Sequence, residues 1–159
     1  MTGPSGPGAV RIRTATVDDH PAIAGLQAAA FADRWSVDAV RRIAALHGAV
    51  ALLAERAADA APLGYLLGQV VTDEAEVHSL AVAEAARRQG IGRRLLAAFE
   101  TMAAALGAVS VVLEVAADDP AATGLYESAG YAVIARRPGY YRIGRARPVD
   151  AEVRRRSLR

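Results

Sequence analysis

Arg87-Arg88-Gln89-Gly90-Ile91-Gly92-Arg93 sets two glycines one residue apart between guanidinium groups, where a strand-like run, Val77 to Val82, hands over to a long amphipathic segment. A helix opening at such a junction presents main-chain N–H groups with no partner inside the helix, and its macrodipole adds about half a positive charge. A phosphate can approach glycine backbone closely there. Arg87, Arg88 and Arg93 add charge that does not titrate at physiological pH. The pattern reads as a pyrophosphate cradle, with a plain tight connection as its competitor. Two further side chains are of types that move protons. Glu114 alternates away from Leu113 and Val115 on a β-prone run, and reads either as a solvated carboxylate or as a general base. Tyr126 follows Leu125 on a short helical segment, and reads either as packing or as a proton donor.

The elements that must hold these groups follow from periodicity. Residues 1–9 are rich in Gly and Pro and are expected to be disordered or foreign to the natural chain; folding starts at Val10. Val10 to Ala15 alternates as a strand. Asp18 or Asp19 is expected to cap a helix through Ile23, Leu26, Gln27 and Ala30, and Ser36 a second through Val40, Ile43 and His47, stopped by Gly48. Ala49 to Glu55 and Leu63 to Val71 read as antiparallel strands, and Asp73-Glu74 turns into the strand at Val77 to Val82. After the glycines, Ile91, Leu95, Ala98, Phe99, Met102 and Leu106 form one apolar stripe that Gly107 ends. Val109 to Val115 is the next strand, so strand, helix and strand make a right-handed βαβ unit with parallel strands. Asp119-Pro120 opens a short helix that Gly130 closes. Tyr131 to Ala135 and Val149 to Val153 are the last strands. Three consecutive arginines, Arg154 to Arg156, cannot all be buried by alternation, so residues 154–159 are expected to form a basic tail outside a single domain of residues 10–153.

Composition excludes several chemistries. All nineteen basic residues are arginine, which removes Schiff-base lysine chemistry and a Gly-Lys-Ser/Thr phosphate loop, and the lack of cysteine removes thiol nucleophiles and Cys-zinc sites. His20, His47 and His78 have no metal-ligand spacing, so no metal is expected. His78 reads as an ordinary strand histidine, with substrate contact as the alternative. No apolar run approaches the roughly 20 residues of a membrane span, and no signal peptide is evident, so a cytoplasmic location is expected. Nine arginines against Asp150 and Glu152 give the segment from Arg136 onward a charge of +7, against −5 for the remainder. This reads first as a solvated arginine-rich tail, with ribosomal RNA or an acidic peptide as the alternative partner.

The succession Arg87-x-x-Gly90-x-Gly92, Leu113-Glu114-Val115 and Leu125-Tyr126-Glu127-Ser128-Ala129-Gly130-Tyr131 resembles the GNAT superfamily of acyl-coenzyme-A-dependent N-acyltransferases, over about Val10 to Val153. Within it, the likeness is greatest to the ribosomal-protein-alanine N-acetyltransferase, or RimI-type, family. It rests also on Asp73-Glu74-Ala75, Ala81-Val82, Trp35-Ser36 and Arg136-Arg137-Pro138-Gly139-Tyr140-Tyr141. The resemblance implies an α/β (α+β) GNAT fold, a mixed central sheet of about six to seven strands flanked by about four helices. It further implies acetyl-CoA as cofactor. Leu80, Ala81 and Val82 would meet the pantetheine arm, and Arg87, Arg88, Gln89, Gly90, Ile91, Gly92 and Arg93 the pyrophosphate, with Asp119 at the coenzyme. Glu114 would be the proton acceptor, Tyr126 the donor to the thiolate, and Trp35, Tyr140 and Tyr141 would line the acceptor cleft.

Two departures stand out. Asp119 replaces an Asn that contacts the cofactor in the family, adding negative charge near phosphates, and Ala116 replaces an Arg. The implied activity is acetyl transfer to the N-terminal α-amine of a protein or peptide, such as a ribosomal protein, with no membrane partner. The alternatives are acetylation of a small amine (polyamine, amino acid or aminoglycoside) and a non-catalytic coenzyme-A-binding module.

Overall fold

The structure, a computed structural model, describes residues 8–159, so the expectation for the amino-terminal leader falls largely outside the described residues. The chain runs through Val10–Thr14 (β1), His20–Ala30 (α1), Val37–Ala44 (α2), Ala49–Arg56 (β2), Pro62–Val71 (β3) and Glu74–Val82 (β4). It continues through Ile91–Ala105 (α3), Ser110–Ala116 (β5), Pro120–Ser128 (α4), Ala132–Tyr141 (β6) and Val149–Ser157 (β7). The strands form one mixed sheet in the order β1-β2-β3-β4-β5-β7-β6. Only β4 and β5 are parallel, as a crossover through α3 requires.

That parallel ladder is short. It pairs Glu74 with Ser110 through Val77 with Leu113 and then stops. Beyond it β4 stays with β3, while Glu114, Val115 and Ala116 stay with β7. The parting begins at a bulge: Leu67 pairs with Ser79 and Gly68 with Val77, leaving His78 unopposed. An extra residue bends its strand and increases the local twist. It also changes which side chains face which core. Ala75, Val77, Leu80 and Val82 pack with α3, whereas Ala81 packs with α1 and α2. Strict alternation from Val77 would have placed Leu80 and Val82 on the other face.

On one side of the sheet Ile91, Leu95, Leu96 and Phe99 of α3 pack on Leu66, Val77, Leu113 and Val115. On the other, Ile23 and Val40 pack on Leu53, Tyr65 and Leu67. Gly68 is needed because a Cβ there would lie 2.5 Å from the Phe99 ring. Ser36 accepts the Ala39 N–H and Asp119 the Ala122 N–H, the caps their positions suggest. Asp19 differs. It stands at the start of α1 without capping it, because Arg13 donates to both its carboxylate oxygens at 2.8 Å and the Thr16 N–H donates at 2.7 Å.

The last strand does not end at Val153. β7 continues to Ser157, and the expected basic tail is an ordered part of the sheet. Alternation sends successive arginines to opposite faces, and each finds partners. Arg154, 7 % exposed, donates to the Tyr131 carbonyl at 3.0 Å and to Glu152 at 3.1 Å. Arg155 reaches the Ser110 hydroxyl, and Arg156 reaches Glu100 at 2.7 Å. Buried charge is tolerated when it is paired and hydrogen-bonded, which composition alone does not reveal.

Removing Arg154 strands Glu152 with only Arg136 and leaves a buried carbonyl unpaired. Arg154→Ala is therefore expected to lower the unfolding free energy by about 3 kcal/mol, read from urea midpoints. Hydrogen bonds from Arg13 hold the Asp19 carboxyl at about 2, below its ordinary 3.8. A lowered folded-state pKa contributes stability above the unfolded value and loses it as pH falls through the folded one. Urea midpoints should thus fall between about pH 4 and pH 2, and Asp19→Asn should flatten that slope.

Candidate active site

At the mouth of the parting, the chain leaves β4, makes a single 3-10 turn at Glu84–Ala86 and enters α3 through Gly90, whose φ of +75° is left-handed. Arg88 also adopts a positive φ of +64°. The first helical bond runs from the Arg94 N–H to the Gly90 carbonyl. Among the described residues, the N–H groups of Gly90, Ile91, Gly92 and Arg93 have no main-chain acceptor. They form an anion-binding end of a fifteen-residue helix.

The two glycines serve different purposes. Nothing lies within 4 Å of the place a Gly90 side chain would take, so that glycine supplies the turn and an open approach. Gly92 instead packs: a Cβ there would meet Leu125 at 3.3 Å and Leu80 and Val82 at 3.7 Å. Ile91 is buried in the core, which leaves only its N–H for a ligand. Arg87 donates to the Val82 carbonyl at 3.2 Å and Arg93 to the Ser128 hydroxyl at 3.0 Å, tying the cradle to β4 and α4. Arg88 and Gln89 are exposed beside them.

Across the parting stand Glu114 on β5 and Tyr126 on α4. Tyr126 is 7 % exposed, and its hydroxyl has no hydrogen-bond partner among the described residues. Burial foremost, then the charge of Asp119 and the nearby phenols of Tyr141 and Tyr65, push its pKa well above the ordinary tyrosine value. It stays protonated at neutral pH, with its O–H free to donate. Glu114, a quarter exposed, lies 3.1 Å from the Arg137 Nε. Tyr141 is close enough to Glu114 for the carboxylate to raise the phenol's pKa, after burial. Tyr140 packs edge-on against Tyr141, with ring centroids 5.1 Å apart. His78, by contrast, is engaged with Gln69 at 3.1 Å.

The far wall is the segment between α1 and α2. Gln27, buried in α1, accepts the Trp35 N–H at 2.8 Å and donates to the Asp33 carbonyl at 2.6 Å, fixing the loop that carries Trp35. Trp35 packs beside Tyr65 and Ala81. Gly144, with φ +71°, brings the β6–β7 loop against Ala32, so the two loops carrying Trp35 and following Tyr141 touch. Gln27, Tyr65, Ser79 and Arg145 were given no site role by sequence reasoning, and Arg137 was named only as part of the run Arg136 to Tyr141, without its contact to Glu114. The buried Tyr65–Ser79 hydroxyl pair, 2.8 Å apart, left one trace: a single phenol within the apolar run Leu63 to Leu67.

The geometry meets an independent finding here. Residues 20–131 match the pattern of the acetyltransferase (GNAT) family. The chain belongs to that family. It is 44 % identical over 80 residues to the N-alpha-acetyltransferase RimI of Mycobacterium tuberculosis, covering 50 % of this chain and 49 % of that protein. It is 38 % identical over 84 residues to the [ribosomal protein bS18]-alanine N-acetyltransferase of Salmonella typhimurium, covering 53 % of this chain and 57 % of that one. These matches span about half the length of the curated relatives. The crystal structure of the Escherichia coli ribosomal-protein-S18-alanine N-acetyltransferase superposes with a TM-score of 0.86 at 27 % identity, covering 94 % of each chain. The mixed sheet of seven strands with four helices is thus the GNAT fold expected above.

The glycines separate by experiment. Gly90→Ala should cost about 1 kcal/mol, the price of a left-handed alanine in open space. Gly92→Val, which must displace Leu125, should lower the melting temperature further.

Proposed function

We propose that this GNAT protein transfers an acetyl group from acetyl-CoA to the N-terminal α-amine of a protein or peptide, with a ribosomal protein as the acceptor. The observation that carries the reading is the end of the β4–β5 ladder at Val77 and Leu113, with Glu114 the next residue on β5 and the unpaired N–H groups of α3 following β4. The names of the RimI relatives support the acceptor class. A ribosomal acceptor places the reaction in the cytoplasm.

Acetyl-CoA supplies the activated thioester. The N–H groups of Gly90 to Arg93, with Arg87 and Arg88 beside them, fit its diphosphate. Leu80, Ala81 and Val82 have no β5 partner, so apart from the Val82 carbonyl, which accepts from Arg87, their outward main-chain groups are available to an extended amide-bearing arm, and an N–H among them to the thioester oxygen. Asp119 retains the cap of α4 through the Ala122 N–H, and its charge helps keep Tyr126 protonated. The same charge disfavours phosphates.

An α-amine with a pKa of about 7.7–8.0 is about a tenth neutral near pH 7, whereas a lysine amine near 10.4 is neutral only about 0.04 % of the time. Glu114 receives the proton that the nitrogen loses on attack, directly or through water. Tyr126 donates its hydroxyl hydrogen to the departing sulfur and recovers a proton from solvent. Its raised pKa keeps the hydrogen on the phenol until negative charge develops on the sulfur.

Titration calorimetry should show coenzyme A uptake by the folded protein, and its absence would sink the enzymatic reading. Thiol release against amino-terminal peptides and small amines tests the acceptor; reaction with small amines alone would refute the peptide assignment. Tyr126→Phe is expected to lower kcat by about a hundredfold with little change in coenzyme affinity. Asp119→Asn should keep the helix cap and tighten coenzyme binding by severalfold.

A further inference from the structure

We infer that Arg137 is a positioning residue for Glu114, a role that rests on Glu114 being the proton acceptor proposed above. The two residues lie on strands that do not touch. β7 runs between them, with Val153 opposite Glu114 and Ala151 opposite Arg137. Directly opposed residues share a face, so all four side chains stand on the same side of the sheet. Strands two places apart are about 10 Å from each other, so only long side chains extended toward one another can meet. Ala151, fully buried, keeps the intervening row low, and the Arg137 Nε reaches Glu114 Oε1 at 3.1 Å.

Arg137 is itself held in place. Its guanidinium lies 5.3 Å from the centre of the Tyr140 ring, Tyr140 packs on Tyr141, and Tyr141 carries Arg145 at 5.2 Å. Arg145 forks onto both oxygens of Asp118 at 3.2 and 3.1 Å. The chain of contacts thus ties the β6–β7 segment to the loop leading into α4, with the carboxylate of Glu114 at one end.

A half-exposed ion pair contributes little to stability, so stability does not account for this arrangement. Its effect is on direction. One oxygen of Glu114 is held in an ion pair by Arg137, while Oε2 has no partner among the described residues and remains free to take a proton. Arginine suits the task because its planar, permanently charged group can pair with a carboxylate while lying over an aromatic ring.

A double-mutant cycle tests this, using thiol release with an amino-terminal peptide acceptor. Arg137→Ala should lower kcat about five- to tenfold and leave the KM for acetyl-CoA unchanged. In a Glu114→Gln background the same change should alter kcat by less than about twofold, because the group it positions is gone. Arg137→Lys, which keeps charge without the planar fork, should restore part of the loss. Equal losses in both backgrounds would overturn the positioning role while leaving the proton-acceptor reading intact. Unimpaired turnover in Glu114→Gln alone would overturn that reading and the positioning role with it. Should Arg137→Ala melt early, Arg137→Gln, which keeps the side-chain stem, takes its place in the same cycle.

Discussion

A parallel ladder that ends after four residue pairs is the constraint on which the rest of the molecule depends. Were it to continue, the main-chain groups of Leu80 to Val82 would be consumed by β5 and the slot would not exist. The bulge at His78 begins the parting, and the α3 crossover holds the two strands parallel below it. Both sides of the slot remain stable because each strand keeps its other neighbour. β4 stays bonded to β3, and Glu114 to Ala116 stay bonded to β7.

Arginine supplies every permanent positive charge, and most of these groups are spent on holding acids in place. Glu55 receives Arg11 and Arg13, Glu152 receives Arg136 and Arg154, Glu100 receives Arg156 and Asp118 receives Arg145. The basic excess from Arg136 onward is therefore largely matched within the fold. What remains at the start of α3 is a small set of exposed guanidinium groups beside free N–H donors, concentrated where an anion would sit.

Local chemistry was readable in the sequence wherever neighbours along the chain decide the outcome. Ser36, Asp119-Pro120, Gly90 and Gly107 act within a turn of their own positions, and the apolar stripe of α3 follows from helical spacing alone. The residues that were not readable act across strands. A bulge at His78 needs the register of β3 to be seen, and the burial of Arg154 needs Tyr131 and Glu152 to be brought beside it. Asp19 looked like a cap because its competitor, Arg13, belongs to a strand rather than to the helix. Glu114, Tyr126 and the run holding Arg137 could be named from motif resemblance, but not the pairing of Arg137 with Glu114 or the burial that shifts Tyr126.

β6 is the outermost strand beyond β7 and is exposed along most of its length. Its pairing with β7 skips Ile134 and is interrupted again between Arg137 and Tyr141, where Pro138 has no N–H to donate and the Gly139 N–H is already given to Asp150. A rim so broken and so charged makes a poor template for a strand from another molecule. The strand that carries Arg137 and Tyr141 thereby also discourages edge-to-edge association of folded chains.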